Sequence, residues 1–289
     1  MTSATRQPET PAAALPPRLI ATDLDGTLLR DDKSVSERTV AALAAAEEAG
    51  VEVFFVTGRP ARWMDVVSDH VHGHGLAICG NGAAVVDLHG GPGAHRFVKV
   101  RELARENALD AVRLLREAAP GTVFAVEQTY GFYQEPAYPK LHMEIPDNLA
   151  PAEQLLAPDA PGAGEPVLKI LAFHHELDPD AFLTVARRAV GDRATITRSS
   201  PSALLEISGP GVSKASTLEL CCAERGISPE EVVAFGDMPN DVEMLTWAGT
   251  SYAMGNAHPA VIAAASGRTV ANNEDGVAVV IEKILAERL

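Results

Sequence analysis

Ala21-Thr22-Asp23-Leu24-Asp25-Gly26-Thr27-Leu28-Leu29 is the stretch on which the reading of this 289-residue chain turns. Two carboxylates stand one residue apart, just beyond the short apolar run Leu19-Ile20-Ala21. If that run is a buried strand, its period of two turns Asp23 and Asp25 to one face. Gly26 then lets the chain turn away without steric cost. Two acids on one face at a strand's carboxyl end repel each other unless positive charge lies between them. A divalent cation, alone or with a phosphoryl group, meets that need. The competing reading is an Asp-Gly turn with solvated acids, since such dipeptides are common in turns.

Outward from this stretch, strand and helix patterns alternate. Residues 1–17 are rich in Pro, Ala and Thr and lack the apolar segment of a signal peptide, so they read as a disordered tail. Ser34 or Ser36 can cap a helix running to Glu48 and ended by Gly50. Val51–Val56 reads as a buried parallel strand, Pro60 opens a helix to about Asp69, and Leu76–Cys79 leads through Gly80-Asn81-Gly82 into a hairpin with Ala84–Asp87. This βαβαβ order predicts an α/β domain with a parallel sheet and right-handed crossovers.

The middle of the chain has a different texture. Gly90-Gly91-Pro92-Gly93 reads as a linker into a second module. Strands are expected at Phe97–Val100, Val123–Gln128, Phe132–Gln134, Val167–Phe173, Ala194–Arg198 and Leu204–Ile207. Helices are expected at Glu102–Ala118 and Pro179–Val190, with a loose stretch over 146–166. Adjacent strands with two helices describe an α+β layer, an antiparallel sheet covered on one face. From Gly211 the first texture returns: helices at Lys214–Arg225, Val242–Ala248, Pro259–Ala265 and Glu274–Glu287, strands at Val232–Phe235 and Ser251–Met254. The organisation is a core of 18–88 and 208–289 with a module, 89–207, inserted between its halves.

Composition narrows the function classes. A net charge of −15 argues against nucleic acid and anionic membranes as partners, while leaving room for an anionic small substrate at a local cation cluster. No run approaches the roughly 18 apolar residues of a membrane span. Cys79, Cys221 and Cys222 form no ligand-spaced cluster and read as reduced, half-buried thiols, consistent with a cytoplasmic location.

Three later segments bear on the chemistry. Val56-Thr57-Gly58-Arg59 puts a hydroxyl at a strand's carboxyl end, as an anion site requires, or as a helix N-cap before Pro60. Lys214 opens a helix, either as a solvated charge or as a point charge for a phosphate. Phe235-Gly236-Asp237-Met238-Pro239-Asn240-Asp241 again runs a hydrophobic strand into Gly, then acids and an amide; an Asp-rich capping loop is the alternative.

Together the four segments resemble the haloacid dehalogenase (HAD) superfamily. Asp23-Leu24-Asp25-Gly26-Thr27 is similar to its first motif, Thr57 to its second, Lys214 to its third, and Gly236-Asp237-Met238-Pro239-Asn240-Asp241 to its fourth. Asn81-Gly82-Ala83 and Met254-Gly255-Asn256-Ala257 further resemble the Cof-type, subclass IIB branch, which places a C2 cap between the second and third motifs. The resemblance implies a Rossmann-like parallel-sheet core with an α+β cap, and phosphoryl transfer through an aspartyl-phosphate. Asp23 would be nucleophile and Asp25 general acid and base. One acid must then be ionised and the other able to hold a proton. Mg²⁺ would be held by the Asp23 and Asp237 carboxylates and the Asp25 backbone carbonyl, supported by Asp241. Thr57, Lys214 and Asn240 would hold the phosphoryl oxygens.

The substrate implied is a small phosphorylated metabolite, such as a sugar phosphate or cofactor phosphate. A phosphomannomutase-like mutase and a non-catalytic phospholigand-binding module are the alternatives; a dehalogenase would need no second acidic loop. In the cap, Tyr133, Lys140, His142 and Lys169 are candidates for substrate contact, or else structural. His174 and His175, ending a strand, are expected to meet solvent. Arg59 either contacts the phosphate or bridges to an acid.

Overall fold

The computed structural model describes residues 16–68, 75–141, 145–200 and 202–287; the tail residues 1–15 and the candidate His142 lie outside them. Five strands open the chain: β1 (Leu19–Thr22), β2 (Glu52–Val56), β3 (Leu76–Cys79), β4 (Ala84–Asp87) and β5 (Arg96–Val100). The helix α1 (Glu37–Glu48) joins β1 to β2, with Ser36 as its N-cap accepting from the Thr39 amide. Where a helix was expected over Pro60–Asp69, the described residues make a 3₁₀ turn at Ala61–Trp63 and then α2 (Asp65–Ser68). Asp69 itself is outside the described residues.

A second sheet follows, with strands β6 (Val123–Gln128), β7 (Phe132–Gln134), β8 (Asn148–Leu149), β9 (Val167–Phe173), β10 (Thr195–Thr197) and β11 (Leu204–Ser208). Its helices are α3 (Arg105–Ala118), α4 (Ala152–Leu155) and α5 (Pro179–Val190). The stretch 146–166 thus contains β8 and α4. The first of these helices starts at Arg105 instead of Glu102, because the Leu103 amide donates across to Val167. The chain then returns to the first sheet through α6 (Lys214–Arg225), β12 (Val232–Gly236), α7 (Val242–Trp247), β13 (Thr250–Ala253), α8 (Pro259–Ala264), β14 (Gly267–Arg268) and α9 (Gly276–Ala286).

The first sheet has the order β14-β13-β12-β1-β2-β3-β4-β5. Its strands from β14 to β3 run parallel, so the residues that follow β1, β2 and β12 emerge at one edge. Alternation divides β1 between two layers: Ile20 packs with Leu43 and Ile281 on the α1/α9 side, Leu19 and Ala21 with Leu218 and Met244 on the α6/α7 side. The strand Arg96–Val100, expected inside the 89–207 insertion, instead hydrogen-bonds to β4 and closes the edge of this sheet.

The second sheet has the order β10-β11-β9-β6-β7-β8. α3 and α5 cover one face through Val112, Leu115, Phe182 and Ala186, against Phe124, Val126, Ile170 and Leu205. The opposite face looks onto the carboxyl edge of the first sheet. All three cysteines are free and buried, and burial pushes their thiols up. Among the described residues no helix is long and apolar enough to cross a membrane.

Candidate active site

The floor of the site is a cage of buried carboxylates around one ammonium. Asp23 follows β1 directly, and its amide donates to the Phe235 carbonyl at 3.1 Å, which ties it to the neighbouring strand β12. Ser213 caps α6 and makes Lys214 its first residue. Gly82, at φ +103°, lies so close to the Ser213 carbonyl that a Cβ there would collide with it, and Thr217 donates to the Gly82 carbonyl at 2.8 Å. The helix start is thereby fixed, and Lys214 points inward, 1% exposed. Its Nζ donates at 2.6 Å to Asp23 Oδ1 and at 2.6 Å to Asp241 Oδ1. The solvated reading of Lys214 is excluded by this geometry.

Asp241 is fully committed within the protein. Its second oxygen, Oδ2, accepts from the Asp237 and Met238 amides, each at 3.0 Å. Asp237 accepts from Thr27 Oγ1 at 2.9 Å, and Gly26, at φ +78°, leaves room for its carboxylate that any side chain would fill. Oxygens of Asp23, Asp237 and Asp241 lie within 4.8 Å of one another. Three carboxylates against one ammonium leave an excess of two negative charges in a buried space. Burial therefore raises Asp237 to about 6, helped by the charge of Asp241. Burial also raises Asp23 well above the ordinary carboxylate value, with Asp241 and Asp237 adding to it against the pull of Lys214. Hard oxygen donors with two uncompensated charges fit a divalent cation. Because Asp241 spends both oxygens on protein donors, Asp23 and Asp237 are the pair able to face that cation.

Beside the cage the second motif forms its own network. The Thr57 amide donates to Ile78 and its Oγ1 accepts from the Arg59 amide at 3.0 Å, so the hydroxyl closes a tight turn and caps no helix. Arg59 grips Asp25 in two-pronged fashion, Nε to Oδ2 at 2.5 Å and Nη2 to Oδ1 at 2.7 Å. Lys33, itself at φ +67°, adds a bond to Oδ1 at 2.9 Å. Burial pushes the Asp25 carboxyl up, but the bonds from Arg59 and Lys33 outweigh it and bring it down to about 2. Of the two acids, Asp25 is held ionised and Asp23 is pushed up. In this geometry Arg59 bridges to an acid, one of its two readings. Asn81 takes a left-handed conformation, φ 55°, and its Oδ1 accepts from Asn240 Nδ2 at 2.9 Å. The Asn240 Oδ1 is buried without a hydrogen-bond partner among the described residues.

Over these groups lies a cavity of about 770 Å³, lined by Asp23, Asp25, Thr57, Arg59 and Asn240 from below and by the open face of the second sheet from above. The cap is tied to the floor by Lys169, whose Nζ donates to the Gly58 carbonyl at 2.8 Å and to Glu206 Oε2 at 2.6 Å. Lys140 lines the cavity too. Tyr133 does not: the period of two along β7 sends it into the helix side of the cap and gives Phe132 and Gln134 to the cavity. His174 is buried, not solvated; its Nδ1 accepts from the Glu176 and Leu177 amides and its Nε2 donates to the Pro120 carbonyl. His175 packs edge-on against Phe173. Sequence reasoning passed over Lys33, Glu127, Glu206, Trp63 and Tyr138, which also line the cavity. For Glu206 the usable signal was the alternation Leu204-Leu205-Glu206-Ile207 in a strand with one face on the cap helices.

A parallel α/β core that gathers acids and a lysine at one sheet edge, under an inserted α+β roof, defines a capped hydrolase with a site for a charged substrate. The chain belongs to the haloacid dehalogenase-like hydrolases, which it matches over residues 20–281. It is similar to the 5-amino-6-(5-phospho-D-ribitylamino)uracil phosphatase YitU of Bacillus subtilis, 30% identical over 271 residues that cover 91% of this chain and 95% of the relative. It is equally similar to the pyridoxal phosphate phosphatase YbhA of Escherichia coli, 30% identical over 273 residues, 90% of this chain and 96% of the relative. The solved structure of BT1666, an HAD phosphatase of Bacteroides thetaiotaomicron, shares the fold with a TM-score of 0.77 at 23% identity, covering 98% of this chain and 99% of that one. The chain is thus an enzyme of the family's phosphoric monoester hydrolases, with the Cof-type, subclass IIB architecture.

Proposed function

We propose that the chain is a Mg²⁺-dependent phosphatase of small phosphorylated metabolites, sugar phosphates or cofactor phosphates, acting through an aspartyl-phosphate on Asp23. The observation that carries this reading is the Asp23–Lys214–Asp241 chain, both contacts 2.6 Å, at the base of a roofed cavity with Asp237 alongside. The names of the relatives support small phosphomonoesters as substrates.

The Asp23 and Asp237 carboxylates and the Asp25 carbonyl would hold Mg²⁺, with Asp241 fixing the loop behind them, and the ion would supply charge neutralisation for phosphoryl oxygens. Lys214 orients the Asp23 carboxylate by holding one of its oxygens and adds positive charge where an anionic nucleophile must meet an anionic phosphate. Without that charge the approach costs several kcal/mol at intermediate effective dielectric. Asp23 attacks phosphorus in line, its O–P bond forming as the bond to the leaving oxygen breaks. Asp25 gives its proton to that oxygen, then takes one from the water that attacks phosphorus, which frees inorganic phosphate and restores Asp23. Thr57, Lys214 and Asn240 hold the phosphoryl oxygens meanwhile.

Asp25 is ionised in the resting geometry, so its acid role requires that Arg59 and Lys33 release it. An incoming phosphate dianion that draws Arg59 and Lys33 onto its own oxygens frees Asp25 to take up a proton from solvent, and this is the proton it then gives to the leaving oxygen. The test is phosphate release from sugar phosphates, nucleotides and cofactor phosphates, with Mg²⁺ and with EDTA, by the wild type and Asp23→Asn. Metal-dependent release that disappears in the variant is expected. No release from any compound by the wild type overturns the phosphatase reading and leaves a mutase or a binding module.

A further inference from the structure

The cavity has two unlike ends. Near the floor polar side chains pair with one another: Arg59 and Lys33 with Asp25, Lys169 with Gly58 and Glu206, Glu206 also with Ser199, and the Asn240 amide nitrogen with Asn81, leaving Asn240 Oδ1 without a partner among the described residues. Away from the floor, the open face of the cap sheet carries a separate apolar cluster of Ala125, Phe132 and Tyr138, extended by Leu171 and Leu204. The change is graded along single strands, because the residues two apart on β9, Lys169 then Leu171, face the same way. Trp63 comes from the core side of the mouth. The Arg62 guanidinium sits 5.8 Å from its ring and 5.4 Å from that of Phe132, joining the two aromatic walls across the core–cap seam. Gln134, Tyr138 and Lys140 are the polar side chains of the upper wall that make no hydrogen bond among the described residues.

From these observations we infer that the site selects phosphomonoesters whose leaving alcohol bears a planar heteroaromatic ring over those of sugars and open polyols, with Phe132, Tyr138 and Trp63 making the selection. The inference rests on the phosphatase reading of the same cavity. A sugar brings several hydroxyls into the upper half, where few free partners exist, and each unpaired hydroxyl opposes binding. A heteroaromatic ring buries its faces against Phe132, Leu171 and Leu204, gains ring–ring contact, and needs only the one or two edge hydrogen bonds that Gln134 and the Tyr138 hydroxyl can make.

The experiment compares pyridoxine 5′-phosphate with glucose 6-phosphate and ribitol 5-phosphate. Pyridoxine phosphate is chosen because it has no aldehyde to form an imine with Lys140. Affinities are measured by calorimetry on Asp23→Asn with Mg²⁺, and kcat and KM on the wild type. All three probes share the phosphoryl end, so their ratio reports the leaving-group end alone. The pyridine ester is expected to bind about 10-fold tighter or more than either polyol ester. That ratio is expected to fall severalfold in Phe132→Leu, which keeps an apolar side chain at the site and removes only the ring, through KM and not kcat. Equal or tighter binding of glucose 6-phosphate or ribitol 5-phosphate overturns the inference, whatever turnover shows. An unchanged ratio in both Phe132→Leu and Tyr138→Leu overturns it as well. A binding preference without turnover of any ester would support the selection while overturning the phosphatase reading.

Discussion

Two buried lysines stand between pairs of acids in this molecule, one in the core and one in the cap, and they serve opposite ends. Lys214 lies between Asp23 and Asp241 with Asp237 beside them. Lys169 lies 2.6 Å from Glu206 and 4.0 Å from Glu127, which also faces Arg62 at 3.7 Å. Counting formal charges, the cap cluster has two acids and two cations and is closed. The core cluster has three acids and one cation and is not. The acids report the difference: burial pushes Glu206 up, but Lys169 outweighs it and holds it low, whereas Asp23 and Asp237 end up raised. One arrangement is a strut that pins the cap to Gly58, the other a cluster with an excess of negative charge.

The contrast breaks most severely at Asp23. With Asp23 as the proposed nucleophile, kcat for phosphate release is expected to fall about 10⁴-fold or more in Asp23→Asn, with the fold retained by circular dichroism. Next come the lysines themselves. Lys214→Met and Lys169→Met each strand buried carboxylates, and each is expected to lose about 3–5 kcal/mol in urea unfolding with EDTA present. Mg²⁺ is expected to restore much of the loss in Lys214→Met, where acids face a cation site, and none of it in Lys169→Met. Equal recovery in both would erase the distinction.

A milder probe is pH. Asp237 is raised in the folded state, so between the ordinary carboxylate range and about 6 the folded protein binds more protons than the unfolded one. Stability of the metal-free protein is therefore expected to fall as pH rises through that window, with Asp23 extending the fall. Saturating Mg²⁺ is expected to level the slope, and thermal melts with and without EDTA read it directly. The smallest effect is in the cap. Tyr133→Phe, on the helix side of β7, is expected to change stability by less than about 1 kcal/mol and leave KM within about twofold. A larger KM change would place that ring at the substrate.

Three of the four core motifs were legible because each follows a strand that announces itself. Val53–Val56 and Val232–Phe235 are continuous apolar runs, and a parallel sheet delivers the residues after them to one edge. The buried state of Lys214 was not legible. A lysine opening a helix looks solvated until the strand carrying Asp23 and the loop carrying Asp241 close on it. A bridge from Arg59 to an acid was one of its two readings, but that the acid is Asp25 and that Lys33 joins it was not legible, since the two cations reach it from separate loops. In the cap, strand positions were readable but faces were not. Choosing Tyr133 over its neighbours required knowing which side α3 and α5 cover. The strand Arg96–Val100 looked like part of the cap because pairing partners leave no local trace, and β4 claims it. The helix expected from Pro60 is interrupted at Met64, where a 3₁₀ turn over Ala61–Trp63 gives way to the α-helical Asp65–Ser68.

The central claim is that the core cage makes Asp23 a covalent phosphoryl carrier. It is tested most directly by mixing the enzyme with Mg²⁺ and an excess of a substrate identified by phosphate release, quenching in acid within one turnover, and sequencing the peptides by mass spectrometry. A phosphoryl group on Asp23, forming and decaying at rates that account for phosphate release and absent from Asp23→Asn, is the predicted result. Full phosphate release with no phosphoryl group on Asp23 at any time, or with one on another residue, would contradict it.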